Sequence, residues 1–162
     1  VLYSGEAFDR LKKREVPKDV KQIYSDVPLS FAVIKTYPDV QDMDDFNFSN
    51  QQSEIYTHFA LAASGMTHKI GGYPDVIQNA DMSFECELAS NGIYAGEIGG
   101  RQSAQAKALL KSAKDWRLLF QLDSDDAAGM MWGDSGMLYF WSRESELRAT
   151  RFDKVWMVLQ CC

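Results

Sequence analysis

The chain has 162 residues, 46% of them hydrophobic and 25% charged, which fits one soluble globular domain able to bury a core without disulfide or metal staples. Its net charge of −6, with a pI near 4.9, works against nucleic-acid binding, because phosphate contacts need a basic surface. No apolar run approaches the ~18 residues that span a bilayer, the first residues lack the charged-then-apolar order of a signal peptide, and Cys86, Cys161 and Cys162 form no CxxC pair, so the sequence reads as cytoplasmic and reduced, with no membrane partner.

The chain does not begin with Met, and Val1, Leu2 and Tyr3 read as the end of an apolar strand, the signature of a fragment. Residues 5–15 can form a short helix with Phe8 and Leu11 on one side and a basic end at Lys12, Lys13 and Arg14. Leu29, Phe31 and Val33 alternate with Ser30, Ala32 and Ile34 between Pro28 and Pro38, the period of a strand. Asp39, Asp42, Asp44 and Asp45 then make an acidic, solvated loop. Ser49 and Gln52 are spaced as a capping box, so a helix should begin here. Ile55, Phe59, Ala62 and Ala63 supply its core-facing stripe, and Gly65 ends it.

Phe84, Cys86 and Leu88 alternate with Glu85 and Glu87, which predicts a strand with one wet face. A second helix should follow Gly99 and Gly100, carrying Ala106, Leu109, Leu110 and Ala113 on one side. Three strands come after Lys114, over 117–123, 137–141 and 155–160, and Ser142 can cap a helical turn running through Leu147. Irregular interspersion of strands and helices, with the last strands antiparallel, is an α+β pattern: a mainly antiparallel sheet with two or three helices packed on it.

The most informative stretch runs from Leu118 to Phe140, two apolar strands around a loop with four Asp, three Gly and Trp132. Loops between rigid strands are where function tends to sit. Asp123, Asp125 and Asp134 stand at positions 1, 3 and 12 of a calcium-loop window, but Ala127 and Ala128 replace the oxygen ligand and the glycine such a loop needs, so capping of turns is the stronger reading. Gln121 and Asp123 share a strand face with Leu119 while Leu118, Phe120 and Leu122 take the other, which predicts a covered polar network completed by Trp132 and loop amides. Trp132 itself should be at least half buried, with Gly133 and Gly136 letting the chain fold around its ring. His68, with no second His or Cys at ligand spacing, reads as a histidine that hydrogen-bonds across the domain, ahead of a rigid turn at Gly71, Gly72, Tyr73 and Pro74. Gly133, Asp134, Ser135 and Gly136 spell the string around the nucleophile of chymotrypsin-like proteases, but that fold needs two β-barrels and this chain is too short.

The strings HKIGGYPD at 68–75, LLFQLDSDD at 118–126, MMWGDSGMLYFW at 130–141 and FDKVWMVLQC at 152–161 together resemble the YwqG-like family, a bacterial domain of unknown function. The resemblance implies an architecture of two related halves, each with one such set of motifs. Only one set occurs here, so it implies that residues 1–162 are a single YwqG-like unit, the C-terminal half of a duplicated chain. In that family's pattern the position of Ser135 is commonly Ala, which cannot act as a nucleophile.

No activated nucleophile, cofactor loop or complete metal set is readable, so no catalytic residue, metal or cofactor is assigned. His68, Gln121, Asp123, Asp125, Trp132 and Asp134 are the candidates for contact with a ligand or partner. The leading expectation is a non-enzymatic protein-interaction domain, of the kind an immunity or regulatory protein uses, with a protein partner or self-association. The alternatives are a small-ligand or cation-binding module and, behind it, a hydrolase using the Asp123, Asp125 and Asp134 loop.

Overall fold

The computed structural model describes residues 5–12, 15–21, 23–43, 46–63, 67–96 and 99–162. Four antiparallel strands, β1 (Lys69–Ile70), β2 (Trp116–Asp123), β3 (Met137–Arg143) and β4 (Trp156–Gln160), form one sheet in chain order. The helices are α1 (Asn50–Ala63), α2 (Met82–Ser90), α3 (Ala104–Leu109) and α4 (Glu144–Arg148), and the fold is α+β. None of the described helices is long and apolar enough to cross a membrane.

The core lies on one face of the sheet. Met82 and Cys86, four residues apart on α2, pack against Trp116, Leu118, Met137, Tyr139 and Trp141. Burial of each such side chain contributes about 1.5–3 kcal/mol. The strand expected over Phe84, Cys86 and Leu88 is therefore part of α2, because five alternating residues satisfy a 3.6-residue period as readily as a period of two. Nor is its acidic side wet: Glu87 is buried, accepting hydrogen bonds from Trp116 Nε1 at 2.8 Å and from Arg143 at 2.6 Å.

A second correction concerns β2. Its pairing with β3 slips between Leu118 and Phe120, a β-bulge at Leu119. The extra residue turns Leu118 to the core beside Gln121, while Phe120 and Leu122 face the other way. The Leu119 carbonyl instead accepts the Gly71 N–H at 3.1 Å.

The capping box at Ser49 and Gln52 forms as expected, with the Ser49 N–H donating to Gln52 Oε1 at 2.9 Å and the Gln52 N–H to Ser49 Oγ at 3.3 Å. The stripe behind it does not face a core. Ile55 and Phe59 are exposed, and α1 is held through Tyr56, whose hydroxyl donates to the Pro38 carbonyl at 3.0 Å and whose ring stacks on Phe48. The Ala63 side chain and Gly65 lie outside the described residues, as do Val1, Leu2, Tyr3, Lys13, Arg14, Asp44 and Asp45. Of the helix expected over residues 5–15, only a 3-10 turn at Phe8–Arg10 is seen. Leu29 to Ile34 pairs with no strand among the described residues, and its apolar side chains stand in solvent. Ser142 lies inside β3 and caps nothing; α4 starts after Arg143, with Glu144 and Glu146 in its first turn.

Candidate functional site

The four motif strings meet on the core face of the sheet, which they cross from β1 to β4. Each sends at least one polar side chain inward, because period-two alternation places Lys69 opposite Gln121, Gln121 opposite Tyr139, and Met137 opposite Gln160. Facing them, residues 73–79 form a loop with many backbone groups to satisfy.

Gln121, fully buried, uses its whole amide on this segment. Its Oε1 accepts from the Asp75 N–H at 2.8 Å, and its Nε2 donates to the Thr67 carbonyl and to Asp75 Oδ2, both at 2.8 Å. The other Asp75 oxygen takes Lys69 Nζ at 2.7 Å, and Lys69 also donates to the Tyr73 carbonyl at 3.2 Å. Tyr139 closes the cluster by donating its hydroxyl to the Asp75 carbonyl. Burial, together with the negative charges of Asp75 and Asp123, raises the Tyr139 phenol above its ordinary value, so it stays a donor. Gln160 repeats the device one layer along: Oε1 accepts from the Ile77 and Gln78 amides at 3.0 Å each, and Nε2 donates to the Asn79 carbonyl at 2.8 Å. Two buried glutamines and one buried ion pair thus clamp the segment to the sheet, and almost every donor and acceptor in the cluster has a partner inside the protein.

The candidates on the 123–136 loop stand at the rim of this centre. His68 Nδ1 accepts the Asp123 N–H at 3.0 Å, so Nε2 carries the proton and donates to Asp125 Oδ2 at 3.2 Å. Both ring nitrogens are engaged, which removes the lone pair a general base would use. The Asp125 carboxyl is held below the usual carboxylate range, first by the Ala128 N–H at 3.0 Å and then by His68. It caps its own turn, closed by paired hydrogen bonds between Asp125 and Met130. Trp132 is more than half buried. Its Nε1 donates to the Asp123 carbonyl at 3.0 Å, its N–H to Ser124 Oγ at 3.0 Å, and its ring meets Tyr24 edge-on at 5.5 Å.

Asp134 does not join this group: it is exposed, and its recorded contact is the carbonyl that accepts the Cys162 N–H at 3.3 Å. Among the described residues no set of three or more His, Cys, Asp and Glu side chains gathers to hold a metal ion. Ser135 is exposed at φ 49°, and no histidine hydrogen-bonds it among the described residues. Gly133 has a steric reason to be glycine, since a Cβ there would sit 2.9 Å from Cys161 Sγ. The Cys86 thiol, pushed up to about 12 by burial and by Glu85, is protonated and unreactive.

Sequence reasoning missed Lys69, Asp75, Tyr139, Gln160 and Glu87. The first four lie in the motif strings, and the signal was available: each string holds a polar residue at strand spacing among apolar neighbours. For Glu87, the mistaken strand hid it.

No curated protein matches the chain. Over residues 5–161 it matches the family described as Domain of unknown function (DUF1963), and with nearly its whole length covered, the chain belongs to that family.

Proposed function

We propose that this chain is a non-enzymatic protein-interaction domain. The observation that carries the reading is the contrast between a polar centre whose groups are spent on one another and a sheet face that is apolar and open. On the side away from the core, Ile70, Phe120, Phe140 and Met157 form one row across all four strands, and Leu122, Leu138 and Leu159 form a second. Ile70 is 72% exposed, Met157 52% and Leu159 45%, and none of the seven residues is polar. A contiguous apolar patch of this kind on a soluble domain marks a surface that meets another protein. Within the family the motif strings support the YwqG-like kind, and immunity or regulation in a bacterium is the setting such a module suits.

The test is binding of the dye ANS, with Ile70→Lys, Met157→Lys and Leu159→Lys combined as the control. Strong fluorescence from the native chain at low micromolar concentration, lost in the triple variant while its melting temperature stays within a few degrees, is the expected result. Absence of dye binding together with a monomer at every concentration would remove the reading.

A further inference from the structure

We propose that the partner is a second copy of this chain, in a two-fold pair stacked on the open sheet faces, each copy donating residues 29–33 as an added strand to β4 of the other. This rests on the interaction reading and gives it an occupant. Three features of the fold are left incomplete in one copy, and one assembly completes all three.

The first is the β4 edge. β4 is the last strand of the sheet, so among the described residues one row of its backbone N–H and C=O groups has no strand beside it. Its sequence, Trp156–Gln160, contains no charge, proline or glycine, the devices that normally blunt such an edge. A groove of about 390 Å³ runs along β4, with Cys86 and Ala89 of α2 and Tyr94 forming its opposite wall. An edge strand beside a helix, with a groove between them, is the form taken by sites that accept an extended segment as an extra strand.

The second feature is the segment itself. Leu29, Phe31, Val33 and Ile34 are between 52% and 103% exposed, and no backbone hydrogen bond holds residues 26–35 among the described residues. Its ends are fastened: the Ser25 N–H donates to the Ala128 carbonyl at 3.2 Å, and Thr36 Oγ1 accepts from the Tyr73 N–H at 3.1 Å. The turn that holds Ala128 meets His68 through Asp125, and Tyr73 lies five residues beyond His68, so the anchors are roughly 17 Å apart at strand spacing, whereas the eleven steps from Ser25 to Thr36 reach roughly 36 Å when extended. The middle of the arch can therefore swing out by about 15 Å, more than the ~10 Å between two stacked sheets. In an added strand, Leu29, Phe31 and Val33 share one side and Ile34 the other. The groove would take the three, while Ile34, two residues from the Thr36 anchor, stays with its own copy.

The third feature is the open face. A two-fold axis along the strand direction, between two stacked open faces, sets β1 of each copy over β4 of the other. The arch flanks β1, since it runs from the 125–130 turn to Tyr73, so it arrives beside the partner's edge. At roughly 200 Å² for a fully exposed large side chain, Leu29, Phe31 and Val33 of one arch carry about 500 Å² and Tyr94, Trp156, Met157 and Leu159 about 400 Å². Two exchanges then cover about 1,800 Å², within the range of stable interfaces.

The experiment is sedimentation velocity of the whole chain from 1 to 100 μM, native and with two pairs of substitutions at exposed sites: Phe31→Lys with Val33→Lys, and Met157→Lys with Leu159→Lys. A dimer weakened at least 100-fold by either pair, with unchanged far-UV dichroism, supports the exchange. A dimer weakened only by the second pair overturns the exchange and leaves the interaction reading standing. So do open-ended assemblies larger than a dimer. A monomer at 100 μM overturns self-association: if it still binds ANS, the interaction reading survives without it, and if it does not, both fall. Should the first pair fail to fold, Phe31→Ser with Val33→Ser takes its place under the same criteria.

Discussion

Residues 71–79, which follow β1, and residues 23–36 are both irregular segments beside the sheet, and they are built in opposite ways. In the first, side chains from all four strands reach in and hold six backbone groups, so the loop is tied to the sheet along its length. In the second, attachment is confined to the ends, and the apolar side chains between them find no cover. A loop is rigid in proportion to the backbone groups it satisfies and the apolar area it buries. The conspicuous polar residues of this chain therefore mark its most closed part, and the surface proposed to meet a partner lies where the polar residues are absent.

The sharpest way to break this contrast is to cut the clamp. Asp75→Ala leaves Lys69 buried without its partner and Gln121 Nε2 with one acceptor fewer, and losing one member of a buried ion pair costs about 3–5 kcal/mol. Urea unfolding should show a midpoint lowered accordingly; a midpoint unchanged within error would mean the centre is open to water. Trp132→Ala comes next, at about 3 kcal/mol, since its ring is more than half buried and its indole holds the Asp123 carbonyl. A melt left unmoved would instead make Trp132 a partner contact.

Acid should act through Asp125. Its folded-state carboxyl titrates below the ordinary value, so its contribution is present above the unfolded pKa of ~3.9 and is lost as pH falls through the lower, folded one. Asp125→Asn should lower the melting temperature at pH 7, flatten its fall below about pH 4, and leave the two proteins alike in strong acid. An identical acid limb in both proteins would show that the Ala128 and His68 bonds do not stabilise the ionised form. The smallest effect is expected from cations. Millimolar calcium or magnesium should leave the melting temperature where it is, because Asp134 stands apart from Asp123 and Asp125; a rise of several degrees, abolished by Asp123→Asn, would establish a cation site through mass action.

The strands and the capping box were legible because each is local: alternation in 117–123 or 155–160, and the Ser49–Gln52 spacing, contain their own evidence. What was illegible depended on something distant. The bulge at Leu119 turns Leu118 inward through pairing with β3, and α2 reads as a strand until Met82 is seen to share a face with Cys86. Ile55 and Phe59 have a helical period, but period alone does not supply the surface they would pack on. At the centre, Gln121 and its need for partners could be read from alternation. The partners Asp75 and Thr67, 46 and 54 residues away, could not.

Hydrogen exchange followed by mass spectrometry at 1 and 100 μM tests the contrast most directly, because it reads both segments in one sample. The clamped design predicts slow exchange for residues 71–79 at both concentrations. Residues 26–35 should exchange fast at 1 μM and become protected at 100 μM, together with the edge-facing amides of 156–160. Fast exchange across 71–79, or protection of 26–35 that is already complete at 1 μM, would contradict it.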